Sequence, residues 1–138
     1  MKGSYVLLLE NKETCNIKVG ALGQIIFYKG FYAYIGSMFG PGGLQARIRR
    51  YFKGGKRHWH IDYILDKMKI IGVFILPEKN FESYLANIAV KNFKFIKGFG
   101  CSDKKDDMSH LLYFTGEHEL KNFIEWIINM GFKKLNYN

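Results

Sequence analysis

Cysteine and long apolar runs are scarce in this 138-residue chain. Its two cysteines are too few for a disulfide framework, which favours reduced thiols and a cytoplasmic location. No apolar run reaches the ~18 residues that a membrane span needs. No basic segment followed by an apolar one opens the sequence, so a secretion signal is not expected. A secreted disulfide scaffold and a membrane protein are therefore both disfavoured.

Acidic side chains are also few, with 12 Asp and Glu against 21 Lys and Arg and a formal net charge of +9. This excess favours a polyanionic partner such as nucleic acid, although basic proteins often bind nothing specific. Hydrophobic residues make up 48% of the chain and charged residues 24%, which is the balance of a folded protein. The length suits one domain, which we take as residues 1–138.

Short apolar runs alternate along the chain with segments of helical period. Strands are predicted at residues 5–9, 17–19, 24–28, 31–35, 70–76 and 111–114, with Gly36 ending the fourth. Helices are predicted at 44–53, 58–67, 81–93 and 120–130, with Gly131 in a C-cap position. No linker, repeat or low-complexity tract interrupts them. We expect an α/β (α+β) fold in which helices flank a small mixed or antiparallel sheet.

Six short blocks stand out in order along the sequence. They are Gly3-Ser4-Tyr5, Tyr34-Ile35-Gly36-Ser37, Gly42-Gly43-Leu44-Gln45-Ala46-Arg47-Ile48, His58-Trp59-His60-Ile61-Asp62-Tyr63, and Gly98-Phe99-Gly100-Cys101-Ser102-Asp103 with the later Ser109-His110-Leu111. This ordered set resembles the GIY-YIG nuclease superfamily, and within it the small single-domain Uri-type proteins. Ser4 stands where the first tripeptide of that superfamily usually has isoleucine.

The resemblance implies a metal-dependent endonuclease that hydrolyses phosphodiester bonds in DNA, structure-directed or of low sequence specificity. It implies that Glu82 holds Mg²⁺ or Mn²⁺, that Arg47 stabilises phosphoryl charge, and that Tyr5 and Tyr34 activate or orient the attacking water. The chemistry agrees: Mg²⁺ needs only one or two carboxylates, and a planar guanidinium reaches two phosphate oxygens at once. From the residues alone, Glu82 also fits a solvated helix start, Arg47 a solvated helix face, and the tyrosines core packing.

Three further residues are weaker site candidates. Tyr51 lies four positions after Arg47 and so shares its helix face, where many relatives have histidine. A tyrosine there predicts activity that rises toward alkaline pH, whereas the alternative is packing in an apolar stripe with Ile48 and Phe52. His60 and His110 are candidates for phosphate contact, or are structural.

A zinc site at His58 and His60 is not expected. Residues two apart on a helix do not face each other, and no cysteine pair completes a tetrahedral site. His58 and Asp62 are instead predicted to be i, i+4 partners on one helix face.

Basic residues cluster just after Arg47, interleaved with aromatic ones. We expect this set to track a phosphate backbone without reading bases: Arg49, Arg50, Lys53, Lys56 and Arg57. The resemblance implies DNA as the partner, and RNA stays open. The main alternative function is a catalytically weak nucleic-acid-binding module on the same fold. A scaffold subunit that docks through exposed aromatics is a third possibility, which the net charge of +9 disfavours.

Overall fold

A six-stranded sheet forms the centre of the computed structural model, which describes residues 1–55 and 57–136. The strands are β1 (Gly3–Asn11), β2 (Cys15–Lys18), β3 (Gln24–Phe27), β4 (Gly30–Met38), β5 (Lys69–Pro77), β6 (Lys94–Phe95), β7 (Leu111–Phe114) and β8 (Lys133–Lys134). The helices are α1 (Gly43–Lys53), α2 (His60–Ile64), α3 (Glu82–Asn92) and α4 (Glu117–Asn129), with a 3₁₀ turn at Gly20–Leu22.

The strand order of the sheet is β6-β7-β4-β1-β5-β8, and every neighbouring pair is antiparallel. Strands β2 and β3 form a separate antiparallel hairpin. The expected α+β fold with a small antiparallel sheet flanked by helices is thereby confirmed. No helix within the described residues is long and apolar enough to cross a membrane.

Strand β1 lies in the middle of the sheet, and its side chains alternate between two cores. Tyr5 and Leu7 belong to the core that contains Ile48 of α1. Val6 belongs to the opposite core, which contains Leu85 of α3. Both faces of β1 are therefore buried, which explains why its residues 5–9 form an unbroken apolar run.

Helix α4 ends as its sequence predicts. Gly131 has a positive φ of 109°, and its N–H donates to the carbonyl of Ile128. The N–H of Phe132 donates to the carbonyl of Ile127. These two bonds form a Schellman motif, and glycine adopts the required left-handed conformation without a steric penalty from Cβ.

Strand β4 is longer than predicted, because it continues through Gly36 to Met38. The predicted helix at 58–67 is in turn shorter, since α2 spans only His60–Ile64. The carboxylate of Asp62, which lies within α2, accepts hydrogen bonds from the backbone N–H groups of His58 and Trp59, which precede the helix. The prediction that His58 and Asp62 pair on one helix face is therefore wrong: His58 precedes the helix and contributes its main chain.

Two edge strands, β6 and β8, were not predicted, since each has only two residues. Leu111–Phe114 was expected to be the final strand, but β8 follows it on the opposite edge of the sheet. Phe52 was placed in the apolar stripe of α1, yet its side chain is 46% exposed. The buried stripe of α1 consists instead of Leu44, Ile48 and Tyr51.

Candidate active site

A cleft of about 400 Å³ opens beside the N-terminal ends of α1 and α3. Four of its lining residues come from four different elements: Tyr5 from β1, Tyr34 from β4, Arg47 from α1 and Glu82 from α3. The structure thus brings together the four residues that the sequence nominates as catalytic, although 77 positions separate the first from the last.

The register of β1 and β4 places the two tyrosines side by side. Tyr5 lies opposite Gly36, and Leu7 lies opposite Tyr34, so the two tyrosines are diagonal neighbours on one face of the sheet. Their ring centroids are 6.5 Å apart. Because Gly36 has no side chain, the ring of Tyr5 can lie across its backbone toward the cleft.

The Tyr5 hydroxyl meets the hydroxyl of Tyr51 at 2.6 Å in the buried wall behind the cleft. Burial raises the pKa of Tyr5 and Tyr34 well above the usual 10, and it also raises the pKa of Tyr51. Arg47 lowers the pKa of all three tyrosines, but its effect does not outweigh that of burial. The three phenols therefore keep their protons through neutral and moderately alkaline pH.

Arg47 lies half-buried beside the same hydroxyls. Burial lowers its pKa, but the neighbouring Tyr5 and Tyr51 outweigh that effect and leave the pKa above its usual value. A guanidinium in this position is permanently charged, and it provides fixed positive charge at the cleft wall.

Glu82 begins α3, and both of its carboxylate oxygens have partners. The hydroxyl of Ser37 donates a hydrogen bond to Oε1 of Glu82, with 2.5 Å between the two oxygens. Nδ1 of His110 lies 3.0 Å from Oε2 of Glu82, which is close enough for an ion pair. The geometry of this contact does not meet the requirements of a hydrogen bond. Burial alone would raise the pKa of Glu82, but His110 and Ser37 outweigh it and hold the pKa below its usual range. The carboxylate is therefore charged at neutral pH.

His110 is fully buried and links Glu82 to a second carboxylate. Its Nε2 lies 2.7 Å from Oδ2 of Asp107, which also accepts a hydrogen bond from Ser83. Burial lowers the pKa of His110, but the two carboxylates outweigh it, and the pKa is raised. Burial likewise opposes ionisation of Asp107, yet its hydrogen bonds from His110 and Ser83 lower its pKa. His110 thus lies behind the cleft, where it supports Glu82.

Ser4 fixes the segment that leads into Glu82, and its role was not predicted. Its fully buried hydroxyl donates to the carbonyl of Lys79 at 2.6 Å and accepts the N–H of Phe81 at 2.7 Å. The second bond satisfies a backbone donor at the start of α3, as a capping side chain would. An isoleucine at position 4 would make neither bond. The signal in the sequence was the unusual serine within an apolar strand.

His60 does not line the cleft but supports its wall. Its Nδ1 accepts the backbone N–H of Gly100 at 2.8 Å, and burial lowers its pKa. Gly100 has a φ of 76°, and a Cβ there would lie 2.7 Å from Cε1 of Tyr34. His60 and Gly100 together hold the 98–101 segment against Tyr34, which indicates a structural role for His60.

The predicted phosphate-tracking residues differ in how free their charges are. Arg49 and Lys53 are exposed on α1. Arg50 lies 3.1 Å from Asp62, and Arg57 pairs with Asp66, so the charge of both is partly neutralised. Lys56 lies outside the described residues. A cation that the prediction omitted, Lys104, lines the cleft beside Glu82.

Glu82 and Asp103 are the carboxylates that line this cleft, and Glu82 is the one that Ser37 and His110 hold in place for a metal ion. Among residues 1–55 and 57–136, no three His, Cys, Asp or Glu side chains form a cluster able to hold a metal. A single carboxylate nevertheless fits Mg²⁺ or Mn²⁺, since a small hard cation retains several waters. Each carboxylate oxygen has two lone pairs, so the contacts with Ser37 and His110 leave one free on each. The donor set therefore suits Mg²⁺ and does not suit a closed zinc site.

The fold and the cleft define a small α+β domain in which one arginine, one lysine, two carboxylates and two phenols of the described residues line a polar opening, with Tyr51 behind them. Residues 4–131 match the family described as Domain of unknown function DUF123, and the chain belongs to this family. No curated protein and no solved structure matches it. The family description gives no activity.

Proposed function

We propose that this protein is a divalent-metal-dependent endonuclease that hydrolyses phosphodiester bonds in DNA, with low sequence specificity or with selection by DNA structure. The observation that carries the proposal is the meeting of Tyr5, Tyr34, Arg47 and Glu82 in one cleft from four separate elements. This set provides cationic, hydrogen-bonding and anionic groups around a space that a phosphodiester can enter. The resemblance to the GIY-YIG superfamily supports the same assignment.

Arg47 is the group that binds the phosphoryl oxygens in this proposal. Its charge is permanent and partly desolvated, and the hydroxyls of Tyr5 and Tyr51 beside it fix its surroundings. A preorganised cation stabilises the negative charge that develops on phosphorus more than it stabilises the ground state.

The phenols orient water in this proposal. Because the pKa values of Tyr5 and Tyr34 are raised, neither provides a resting phenolate base at neutral pH. Each can donate one hydrogen bond and accept another, and this fixes the direction from which a water molecule attacks. The contact between Tyr5 and Tyr51 orients the Tyr5 hydroxyl in turn.

Glu82 would hold the cation, and Ser37 and His110 keep its carboxylate ionised and oriented. When bound there, Mg²⁺ or Mn²⁺ supplies Lewis-acid stabilisation of the phosphoryl and leaving oxygens. The support of Glu82 by Ser37 and His110 matches the way outer groups orient metal-binding carboxylates in general.

The alternative is a catalytically weak nucleic-acid-binding module. The observation that favours it is that both oxygens of Glu82 already have protein partners, one of them a histidine with a raised pKa. In that case His110 neutralises Glu82, and the cleft binds DNA through Arg47 without cleaving it.

The two proposals differ in a cleavage assay. We propose incubating the purified protein with single-stranded, duplex, flapped and abasic DNA, and with RNA, in Mg²⁺, Mn²⁺ or EDTA. The nuclease proposal expects cleavage in metal and none in EDTA. Glu82→Gln should abolish cleavage with binding nearly intact, because it removes the charge that holds the metal.

Glu78→Gln is the matched control, since Glu78 is an exposed carboxylate four positions earlier that does not line the cleft. It should keep wild-type activity. Full activity of Glu82→Gln would overturn the assignment of Glu82, and Asp103, the other carboxylate that lines the cleft, would then be the next one to test. DNA binding without cleavage in any metal would favour the binding module.

A further inference from the structure

A second cleft, of about 810 Å³, opens between the β2–β3 hairpin and α2. Lys18, Arg57 and Lys67 line it, together with the single acid Asp66. Asp66 is paired with Arg57, so the described lining carries an excess of two positive charges. Lys18 and Lys67 are exposed, and a polyanion in the cleft would meet their ammonium groups.

The second cleft also contains an aromatic surface. Tyr63 is partly exposed in its lining, and the guanidinium carbon of Arg57 lies 5.7 Å from the centre of the Tyr63 ring. A positively charged groove with an aromatic ring is the arrangement by which proteins bind single-stranded nucleic acid, because unpaired bases stack on the ring. Bases within a duplex are already stacked and paired, and so cannot use such a ring.

The segment 57–59 joins this second cleft to the candidate active site. Arg57 lines the second cleft, and Trp59 lines the active-site cleft. Two residues of chain span roughly 7 Å at most, so the backbones of the two linings are close. The backbone of Trp59 is extended, with φ −117° and ψ 161°.

Exposed aromatic side chains border the active-site cleft as well. Trp59 is 49% exposed and Phe39 is 39% exposed, and both line that cleft. Large apolar side chains that remain in water at the rim of a polar cleft are typical of binding surfaces. Trp59 thus provides a stacking surface between the active-site cleft and the cations of the second cleft.

We propose that the second cleft binds a single-stranded flank of the DNA substrate, which passes from the active-site cleft over Trp59 to Lys18, Arg57 and Lys67. This inference rests on the proposed nuclease function, and it makes the preferred substrate a strand with an unpaired extension beside the cut. The phosphates of the flank contact the cations, and its bases stack on Trp59 and against the Arg57–Tyr63 pair.

The test measures binding separately from cleavage. In the Glu82→Gln background, fluorescence anisotropy gives the Kd for a labelled blunt duplex and for the same duplex with a single-stranded flank. We expect about tenfold tighter binding of the flanked probe. Lys18→Glu combined with Lys67→Glu should remove this preference and lower the salt slope for the flanked probe by about 1.4, the value for two phosphate contacts on a single strand.

Lys94→Glu combined with Lys133→Glu is the matched control. It makes the same change in net charge on the two edge strands of the sheet, and neither residue lines either cleft. It should keep the preference for the flanked probe. Equal Kd values for blunt and flanked probes, or an equal loss of preference in both double variants, would overturn the proposal.

Trp59 supplies an independent readout. The protein has two tryptophans, and Trp126 packs against Phe93 and Phe123 in the core on the other face of the sheet. Trp126→Phe therefore leaves Trp59 as the single tryptophan, and its emission should be quenched by the flanked probe and much less by the blunt one. Equal quenching by both probes would count against stacking of the flank.

Cleavage by the wild-type protein distinguishes this proposal from the proposed function. A preference for the flanked probe with no cleavage of any substrate would support the second-cleft subsite and reject the nuclease. Cleavage with no preference for the flank would support the nuclease and reject the subsite.

Discussion

A Cβ atom at Gly36 would lie 2.4 Å from the hydroxyl oxygen of Tyr5 and 2.4 Å from its Cζ. Real Cβ atoms do not approach other atoms so closely, so the ring of Tyr5 occupies the space that any other residue at position 36 would fill. Gly36 of β4 and Tyr5 of β1 therefore depend on each other for their positions. This contact explains why glycine is required at position 36, within β4, where it does not end the strand.

Gly36→Ala should push the Tyr5 ring away from Tyr51 and Arg47. We expect a loss of about 1–3 kcal/mol in the free energy of unfolding, as for other overpacked cores, measured by urea denaturation. Activity should fall further than the folded fraction, because the displaced hydroxyl belongs to the cleft. Gly72→Ala on β5 is the control, since a Cβ there makes only an ordinary 3.5 Å contact with Leu8. Equal effects of the two substitutions would contradict a special role for Gly36.

Arg47→Ala should lower kcat by about a hundredfold or more, as does the loss of a preorganised group that stabilises developing charge. Arg49→Ala is the cleaner of two controls, because Arg49 is exposed whereas Arg50 also balances the buried Asp62. Both control substitutions should mainly weaken binding and flatten its salt dependence. Steady-state kinetics at several salt concentrations checks this. If all three variants change kcat, binding and salt dependence by the same amount, Arg47 contributes no more than the neighbouring basic residues do.

The pH–rate profile tests the tyrosines. Burial raises the pKa of Tyr5, Tyr34 and Tyr51, so the protonated form is favoured and phenolate forms only above pH 10. Tyr5→Phe and Tyr34→Phe should therefore lower kcat severely by a similar factor at all pH values from about 6 to about 9, and Tyr51→Phe only mildly. Any rise in activity toward alkaline pH should persist in these variants. A rise that disappears in Tyr5→Phe or Tyr34→Phe would identify that phenol as the base.

In EDTA, the free energy of unfolding should depend on the protonation of His110 over a defined pH window. The pKa of His110 in the folded protein is raised above 6.5, so its contribution is complete below 6.5 and is lost as the pH rises through the folded value. The pKa values of Glu82 and Asp107 are lowered, so their contributions are lost only as the pH falls below about 4.

Urea denaturation from about pH 5 to about pH 9 should therefore show wild-type stability falling on the alkaline side of this window. His110→Gln should remove most of that fall, because glutamine does not titrate. His118→Gln is the control, since His118 is exposed on α4. A wild-type profile that His110→Gln leaves unchanged would show that other groups cause the fall.

Much of the fold could be predicted from local sequence. The unbroken apolar run of β1, the stripe of Leu120, Phe123 and Ile127, and Gly131 at the end of α4 each have a local physical cause. The two-residue strands β6 and β8 have no such signal, because their pairing depends on neighbouring strands that lie far away in sequence. Gly36 was misjudged for a related reason: its meaning depends on the Tyr5 ring across the sheet.

The catalytic candidates in the cleft could be predicted from the ordered motifs, but the residues that hold them in place could not. Asp107 sits in a polar, lysine-containing stretch that resembles an ordinary solvated loop. Its partners are His110, Ser83 and Asn87, and the last two lie on α3, at least 20 positions away. Ser4 likewise makes both of its hydrogen bonds to residues at least 75 positions later. Contacts of this kind become visible only when the sheet and helices are assembled.

The central position of β1 has a consequence for how the protein is made. One partner strand of β1 ends at Met38, and the other ends at Pro77. During synthesis, one edge of the apolar segment 5–9 therefore stays unpaired until more than half of the described chain has been made. An apolar, β-prone segment with an open edge is a site of aggregation. We therefore expect the yield of folded protein in the cell to depend on how quickly residues 69–77 follow, and on chaperones that cover β1 until they do.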